Sequence, residues 1–332
     1  MLKNNSIYLE NFIQTVQQMN CGCENPTQGG GFGVTDQNAA LKAKLLDISD
    51  TAGILAEVKK TASSILPDFI FRRFDAAFND VDRLFQGQYE GYRACNTKYH
   101  DFNHTMMVLL AMARLMHGAT VSGVRFTEKE VNLGLIGALM HDTGYIQSLD
   151  DFSGTGAKYT LIHIRRSIRF VQNYYAREPY FANDMKNFHD ILNCTGVLTM
   201  VKDIVFESEH IALLGKMLGT ADLLGQMADR LYLEKLMLLY SEFEEGGVPG
   251  FDSEADLLRK TVSFYKRTKN RFEDEFGNVN RYMVHHFKER WNIESNIYEE
   301  SIENNINYLK FVLKHSRKNI NQSLRRNSIS LQ

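Results

Sequence analysis

An imidazole and a carboxylate stand side by side at His141-Asp142, closing the apolar run Leu135-Ile-Gly-Ala-Leu-Met140 and followed at once by Gly144. Neighbouring residues on a helix point about 100° apart, so the doublet can address one centre only where the helix is ending. Gly144 is expected to supply that end, because glycine just past a helix takes the left-handed conformation without steric cost. Mixed nitrogen and oxygen donors at the mouth of a buried helix suit a divalent metal. A second pair, His189-Asp190, is also present, so the doublet takes its weight from its surroundings.

Two other stretches supply them. His104 shares a 3.6-period face with Met107, Val108, Ala111 and Leu115, and His100 lies one turn earlier. One histidine on such a face reads as a hydrogen-bonded core residue, whereas two, one turn apart, read as a site. Asp222, in Gly219-Thr-Ala-Asp-Leu-Leu-Gly225, falls on the stripe of Ile211, Leu214 and Leu218. An ionised carboxylate there is costly unless a cation or strong donors meet it, and an internal salt bridge, for example to Arg230, is the alternative. Gly215 and Gly219 cost about 1 kcal/mol each inside a helix, so they predict that another helix approaches closely at this level.

The elements that must position these side chains read as helices. Apolar patterns of 3.6 period dominate from Asp68 onward, the whole chain has 4 prolines, and no strand pattern or internal repeat is sustained. Thr127-Glu-Lys-Glu130 has the spacing of a capping box and opens the helix that runs to the doublet. Further helices are predicted from about 157 to 175, 181 to 192 and 208 to 240, with another starting at Ser253. The chain divides into an N-terminal extension (1–66), a core (67–245), a helical C-terminal extension packed on the core (246–316) and a basic tail (317–332). The extension holds an amphipathic stretch over Tyr8–Met19 and a glycine-rich linker from Gly22 to Gly33, which lacks the Gly-Lys-Ser/Thr ending of a phosphate loop. Phe251, Phe264, Tyr265, Phe272, Phe276 and Trp291 read as packing surface.

Composition narrows the function classes. A chain of 332 residues with 38 Lys+Arg against 40 Asp+Glu carries no global charge to attract a nucleic acid duplex or an anionic membrane. No run reaches the roughly 18 apolar residues of a spanning helix. The 4 cysteines are too few and too irregular for a disulfide framework, and Cys21-Gly-Cys23 lacks the partners of a zinc site. The expectation is a cytoplasmic protein with a small-molecule partner, which leaves a homodimer open.

His104, His141-Asp142 and Asp222, in that order on successive helices, resemble the H…HD…D signature of the HD superfamily of metal-dependent phosphohydrolases. The resemblance covers roughly residues 90–240 and implies an all-α, HD-domain or phosphodiesterase-like helical bundle. Tyr99-His100-x-x-x-His104 is similar to the Tyr-His-Asn-x-x-His segment of cyclic nucleotide phosphodiesterases. That likeness implies His100 as general acid and His104 as metal ligand. Asp101 stands where those enzymes have asparagine, and Thr143-Gly-Tyr145 stands where a further histidine is expected. Gln226 is the conceivable counterpart of their nucleotide-reading residue. His163 and His189, between the doublet and Asp222, resemble the H…HD…H…H…D order of two-metal HD proteins. These include HD-GYP phosphodiesterases, whose Gly-Tyr-Pro signature is missing here, and myo-inositol-oxygenase-like diiron enzymes. The resemblance implies Asp142 bridging two metals, with His163 and His189 completing the second; each alone reads as structural or surface. Arg166, three residues after His163, could grip phosphate oxygens bidentately.

The function so implied is hydrolysis of a nucleotide-type phosphate ester by metal-activated water. It needs one or two divalent ions (Mn, Mg, Fe or Zn), with His100 and Asp142 as catalytic residues. Arg166 and Gln226 would bind substrate, and His104, His141, Asp142, Asp222, His163 and His189 would hold metal. Two alternatives use the same residues: a diiron oxygenase, and a signalling protein that binds a nucleotide without turnover.

Overall fold

A computed structural model describes residues 39–48, 50–196, 199–315 and Leu324. The amphipathic stretch over Tyr8–Met19, the Gly22–Gly33 linker, Cys21-Gly-Cys23 and most of the basic tail lie outside these residues. The fold is all-α: among the described residues the one β pairing is an isolated bridge between Tyr92 and Ser148. None of the described helices is long and apolar enough to cross a membrane.

Twelve α-helices are described: α1 (Ala39–Leu46), α2 (Thr51–Ile65), α3 (Arg72–Phe85), α4 (Phe102–Val121), α5 (Glu128–Met140), α6 (His163–Tyr174), α7 (Met185–Asn193), α8 (Glu209–Met227), α9 (Tyr232–Glu245), α10 (Glu254–Asp274), α11 (Tyr282–Trp291) and α12 (Ile297–His315). The axis of the bundle is α4. Its sequence is apolar all round, and a helix of that kind is stable only when enclosed. Accordingly every residue from His104 to Ala119 is buried, with α2, α5, α8 and α11 packed about it. Helices α5 and α8 share this character, whereas α3, α6 and α7 bury one face each.

The local signals act where their chemistry places them. Thr127 and Glu130 form a reciprocal capping box at the start of α5, and Ser208 and Ser253 accept from backbone amides to open α8 and α10. Three boundaries differ from expectation. The helix predicted from about 157 begins instead as a 3-10 turn over Gly156–Tyr159, and α6 starts only at His163. The helix predicted from 181 starts as a 3-10 turn at Pro179–Phe181, with α7 beginning at Met185. The helix predicted through 240 breaks between Met227 and Tyr232, where the Asp229 carboxylate accepts from the amide of Leu231 and from Lys235. A short polar side chain that bonds its own backbone competes with the helix ladder.

Helix α2 falls within the segment read as an N-terminal extension, yet Ile54, Val58 and Ala62 are fully packed and the helix lies on α4. In the C-terminal segment, Phe276 is buried against α8. A Cβ at Gly219 would come within 2.4 Å of the Cys194 carbonyl oxygen and 2.6 Å of the Phe276 ring. The close neighbour predicted at Gly219 is therefore the end of α7 together with Phe276.

Candidate metal centre

Three helices converge, two by their ends and one by its face. His104 sits in the first turn of α4, whose start is set by the Asp101 carboxylate accepting from the His104 amide at 2.8 Å. The position that departs from the phosphodiesterase pattern thus serves as a helix cap. His141 and Asp142 lie just past α5, in the turn leading to a 3-10 segment over Thr143–Tyr145. Asp222 projects from α8, which approaches α4 so closely at this level that a Cβ on Gly225 would lie 3.2 Å from the Met107 and Val108 backbone.

Gly144 is needed for a reason other than the one expected. It is not among the residues with positive φ; instead a Cβ there would lie 1.9 Å from the carbonyl oxygen of His163. The turn after the doublet is pressed against the start of α6, where Ser167 Oγ accepts from the Gly144 amide at 2.8 Å. Arg166 fastens it further, donating to the carbonyls of Gly144 at 2.7 Å and Ile146 at 2.8 Å while stacking on Tyr159. Read from sequence as a phosphate grip, it has its Nε and one terminal nitrogen engaged by backbone carbonyls.

The ring nitrogens and carboxylates meet in the interior. His104 Nε2 lies 3.3 Å from Asp142 Oδ2, 3.3 Å from Asp222 Oδ1 and 3.4 Å from His141 Nε2. His141 Nε2 lies 3.2 Å from Asp142 Oδ2 and 3.9 Å from Asp222 Oδ1. Ligand atoms of His104, His141 and Asp222 fall within 4.8 Å of one another. The salt bridge considered between Asp222 and Arg230 is absent from this set: Arg230 reaches Asp47 instead, at 3.9 Å.

The hydrogen positions make the point sharper. His141 Nδ1 is 2.8 Å from the Ala138 carbonyl, which can only accept, so Nδ1 carries a proton and Nε2 is the atom turned to the acids; against its burial, their charge raises the pKa of the ring. Asp142 Oδ2 is buried and in hydrogen-bonding geometry with nothing, although two ring nitrogens stand within 3.3 Å of it. Lone pairs and carboxylate oxygens crowded together repel unless a positive charge sits among them. Without a metal that charge is a proton. Burial opposes a charged His104, but the Asp142 and Asp222 carboxylates outweigh it and raise its pKa to about 10. Burial likewise opposes the Asp142 anion, and His141 and His104 hold its pKa well below the ordinary carboxylate value. A divalent cation fits the same donor set, with the Ala138 carbonyl fixing the tautomer of one ligand.

Asp142 faces two ways. Its Oδ1 lies 3.7 Å from Nε2 of His163, whose Nδ1 donates to the Thr160 carbonyl at 2.6 Å. Burial lowers the pKa of His163, leaving that ring neutral with its lone pair toward Asp142. His189 does not join this group. Its side chain is 51% exposed and meets Asp190 and Asn193 on its own helix. The polar face of amphipathic α7 carries it outward.

His100 stands at the rim, with its Nδ1 2.6 Å from Glu242 Oε2. The other oxygen of Glu242 accepts from the amides of Lys98 and Tyr99, both at 2.7 Å. Burial disfavours the Glu242 anion, yet these donors hold its pKa below the usual value. Tyr145 is stacked on both His100 and His163, with ring centroids 4.4 and 4.5 Å apart. Neither Glu242 nor Tyr145 was singled out from sequence. Glu242 lies in an acidic run at the end of α9 where nothing distinguishes it from the exposed Glu244 and Glu245. Gln226 lines a small cleft beside His104 together with Tyr99, Asn103 and Lys235, but its amide is engaged: Nε2 with Asp222 and Oε1 with the Tyr99 hydroxyl.

Residues 149–277 match the model of the Npun_R2479-like family. That span is less than half of the chain; it includes His163, Asp222, Gln226 and Glu242 and begins after the His141-Asp142 doublet. No curated protein and no solved structure matches the chain.

Proposed function

We propose that the protein is a metal-dependent phosphohydrolase of the HD type, hydrolysing a nucleotide-type phosphate ester. The observation that carries this reading is the buried, unpartnered Oδ2 of Asp142 set between the facing nitrogens of His104 and His141, with Asp222 closing the group. His104, His141, Asp142 and Asp222 would hold one divalent ion. The other oxygen of Asp142, with His163, faces a second position that has fewer protein donors.

A divalent ion held there would acidify water and offset charge on the phosphoryl oxygens, worth several kcal/mol of barrier. The chain's own residues do the rest. Glu242 accepts from Nδ1 of His100 and orients the ring, so that Nε2 is the atom that would pass a proton to the departing oxygen. Proton donation of this kind contributes about 10²- to 10⁴-fold. Tyr145 holds the His100 ring on its flank and keeps water from that face. Gly144 and Arg166 keep the doublet and His163 in register.

A diiron oxygenase would call on the same histidines and acids. It is disfavoured by the outward position of His189, which leaves the second position without one of the ligands that reading requires. A protein that binds a nucleotide without turnover would give tight binding and no product. The deciding experiment loads the protein with Mn²⁺ under anaerobic conditions. It then follows release of phosphate or monophosphate from cyclic nucleotides, cyclic dinucleotides and nucleoside phosphates, with oxygen uptake measured in parallel on iron-loaded protein. Product without oxygen supports hydrolysis; oxygen uptake with no phosphate product refutes it.

A further inference from the structure

Gln226 lies one helical turn after Asp222 on α8, and its Nε2 is 3.2 Å from the Asp222 carbonyl oxygen and 3.3 Å from Asp222 Oδ1. Both of those oxygens can only accept, so the amide must turn its NH₂ toward Asp222 and its Oε1 away. Oε1 then meets the Tyr99 hydroxyl at 2.9 Å, which must donate. Tyr99 is buried, and burial together with the neighbouring acids raises its pKa well above the ordinary value, so this donor persists across the working pH range.

We infer that Tyr99 and Gln226 are positioning residues for Asp222: the Tyr99 hydroxyl fixes the Gln226 amide, and that amide fixes the carboxylate facing His104 and His141. The inference rests on the metal-centre reading and changes what Gln226 does there. Its Nε2 faces the metal ligand and its Oε1 faces Tyr99. Hydrogen bonds behind a ligand commonly alter metal affinity by about 10- to 100-fold.

The test measures Mn²⁺ affinity by calorimetry on full-length protein, with the Mn²⁺ paramagnetic signal as a second readout and metal-free melting temperature as a control. Gln226→Leu is expected to weaken Mn²⁺ binding about 10- to 100-fold, and Tyr99→Phe to weaken it in the same direction by less. The double variant is expected to bind no more weakly than Gln226→Leu alone, because Tyr99 acts through Gln226. A purely structural role would lower the melting temperature of each variant and leave Mn²⁺ affinity unchanged. Unchanged affinity in both variants, or additive losses in the double variant, overturns the inference, as does a raised KM with unaltered Mn²⁺ binding in Gln226→Leu. If the unaltered protein binds no Mn²⁺, the metal centre itself is refuted and this inference falls with it.

Discussion

Glu242 spans the rim of the centre, one carboxylate oxygen 2.6 Å from Nδ1 of His100 and the other on the amides of Lys98 and Tyr99. A buried anion held by three donors is a fixed one, and it fixes the orientation of the His100 ring. Glu242→Gln should therefore keep bound metal and lower kcat by about 10²-fold, at the low end of the range for general acids. His100→Ala should lose more turnover with the same metal content. Full turnover in purified His100→Ala would remove His100 from the mechanism, and full turnover in Glu242→Gln would remove the orienting role of Glu242.

Asp142 is the shared acid, facing His104 and His141 through Oδ2 and His163 through Oδ1. Asp142→Ala should lose both metal and activity. His163→Ala should retain the tighter-bound ion and lose the looser one, while His189→Ala should match the unaltered protein by metal analysis. Depletion of metal in His189→Ala would return that residue to the ligand set.

The His104 pKa, raised to about 10 without a metal, has a direct consequence for binding. The ring carries a proton at neutral pH, a ligand needs the lone pair, and so metal and proton compete. Mn²⁺ affinity should rise by up to tenfold per pH unit between about pH 6.5 and about pH 8.5. Calorimetry in buffers of different ionisation heat should show proton release on binding. An affinity that is flat over that range, with no proton released, would contradict this coupling.

Far from the centre, Nδ1 of His286 on α11 lies 3.0 Å from Nδ1 of His117 on α4. His286 is fully buried, and its Nε2 has no partner. Burial, then the nearby Arg114, His117 and Arg290, hold its pKa well below the model-peptide value of about 6.5. The unfolded chain therefore takes up the proton first as pH falls, and stability declines below about pH 6.5 by at most about 1.4 kcal/mol per unit from this residue. Denaturant unfolding of metal-free protein at neutral and mildly acid pH should show the loss, and His286→Leu should show less of it. An equal decline in the variant would assign the acid sensitivity elsewhere.

The turn after the doublet gives a steric prediction. A Cβ at Gly144 would be 1.9 Å from the His163 carbonyl oxygen, a contact that backbone must move to relieve. Gly144→Ala should cost about 1–3 kcal/mol in stability, as overpacked sites do, and should weaken metal binding by displacing Asp142 from His163. Circular dichroism melts and metal titration check both effects; a variant equal to the unaltered protein in each would show that the turn relaxes freely.

Periodicity and caps made the helical class, the capping box at Thr127 and the helix starts at Ser208 and Ser253 legible, because these are local effects of side chains on their own backbone. The ligand candidates His104, His141, Asp142 and Asp222 were also visible in the chain, as polar groups placed on stripes that must be buried. Tertiary packing decided which of the candidates meet. His163 turns inward and His189 outward, although both lie on amphipathic helices, because each helix buries only the face its neighbours cover. Arg166 and Gln226, read as substrate contacts, also bond to backbone carbonyls and to Asp222 and Tyr99, which their spacing in sequence does not show. Glu242 and Tyr145 became evident only when α9 and the turn after α5 were brought to His100. Such partners are chosen by contacts between residues far apart in sequence, and no local pattern records them.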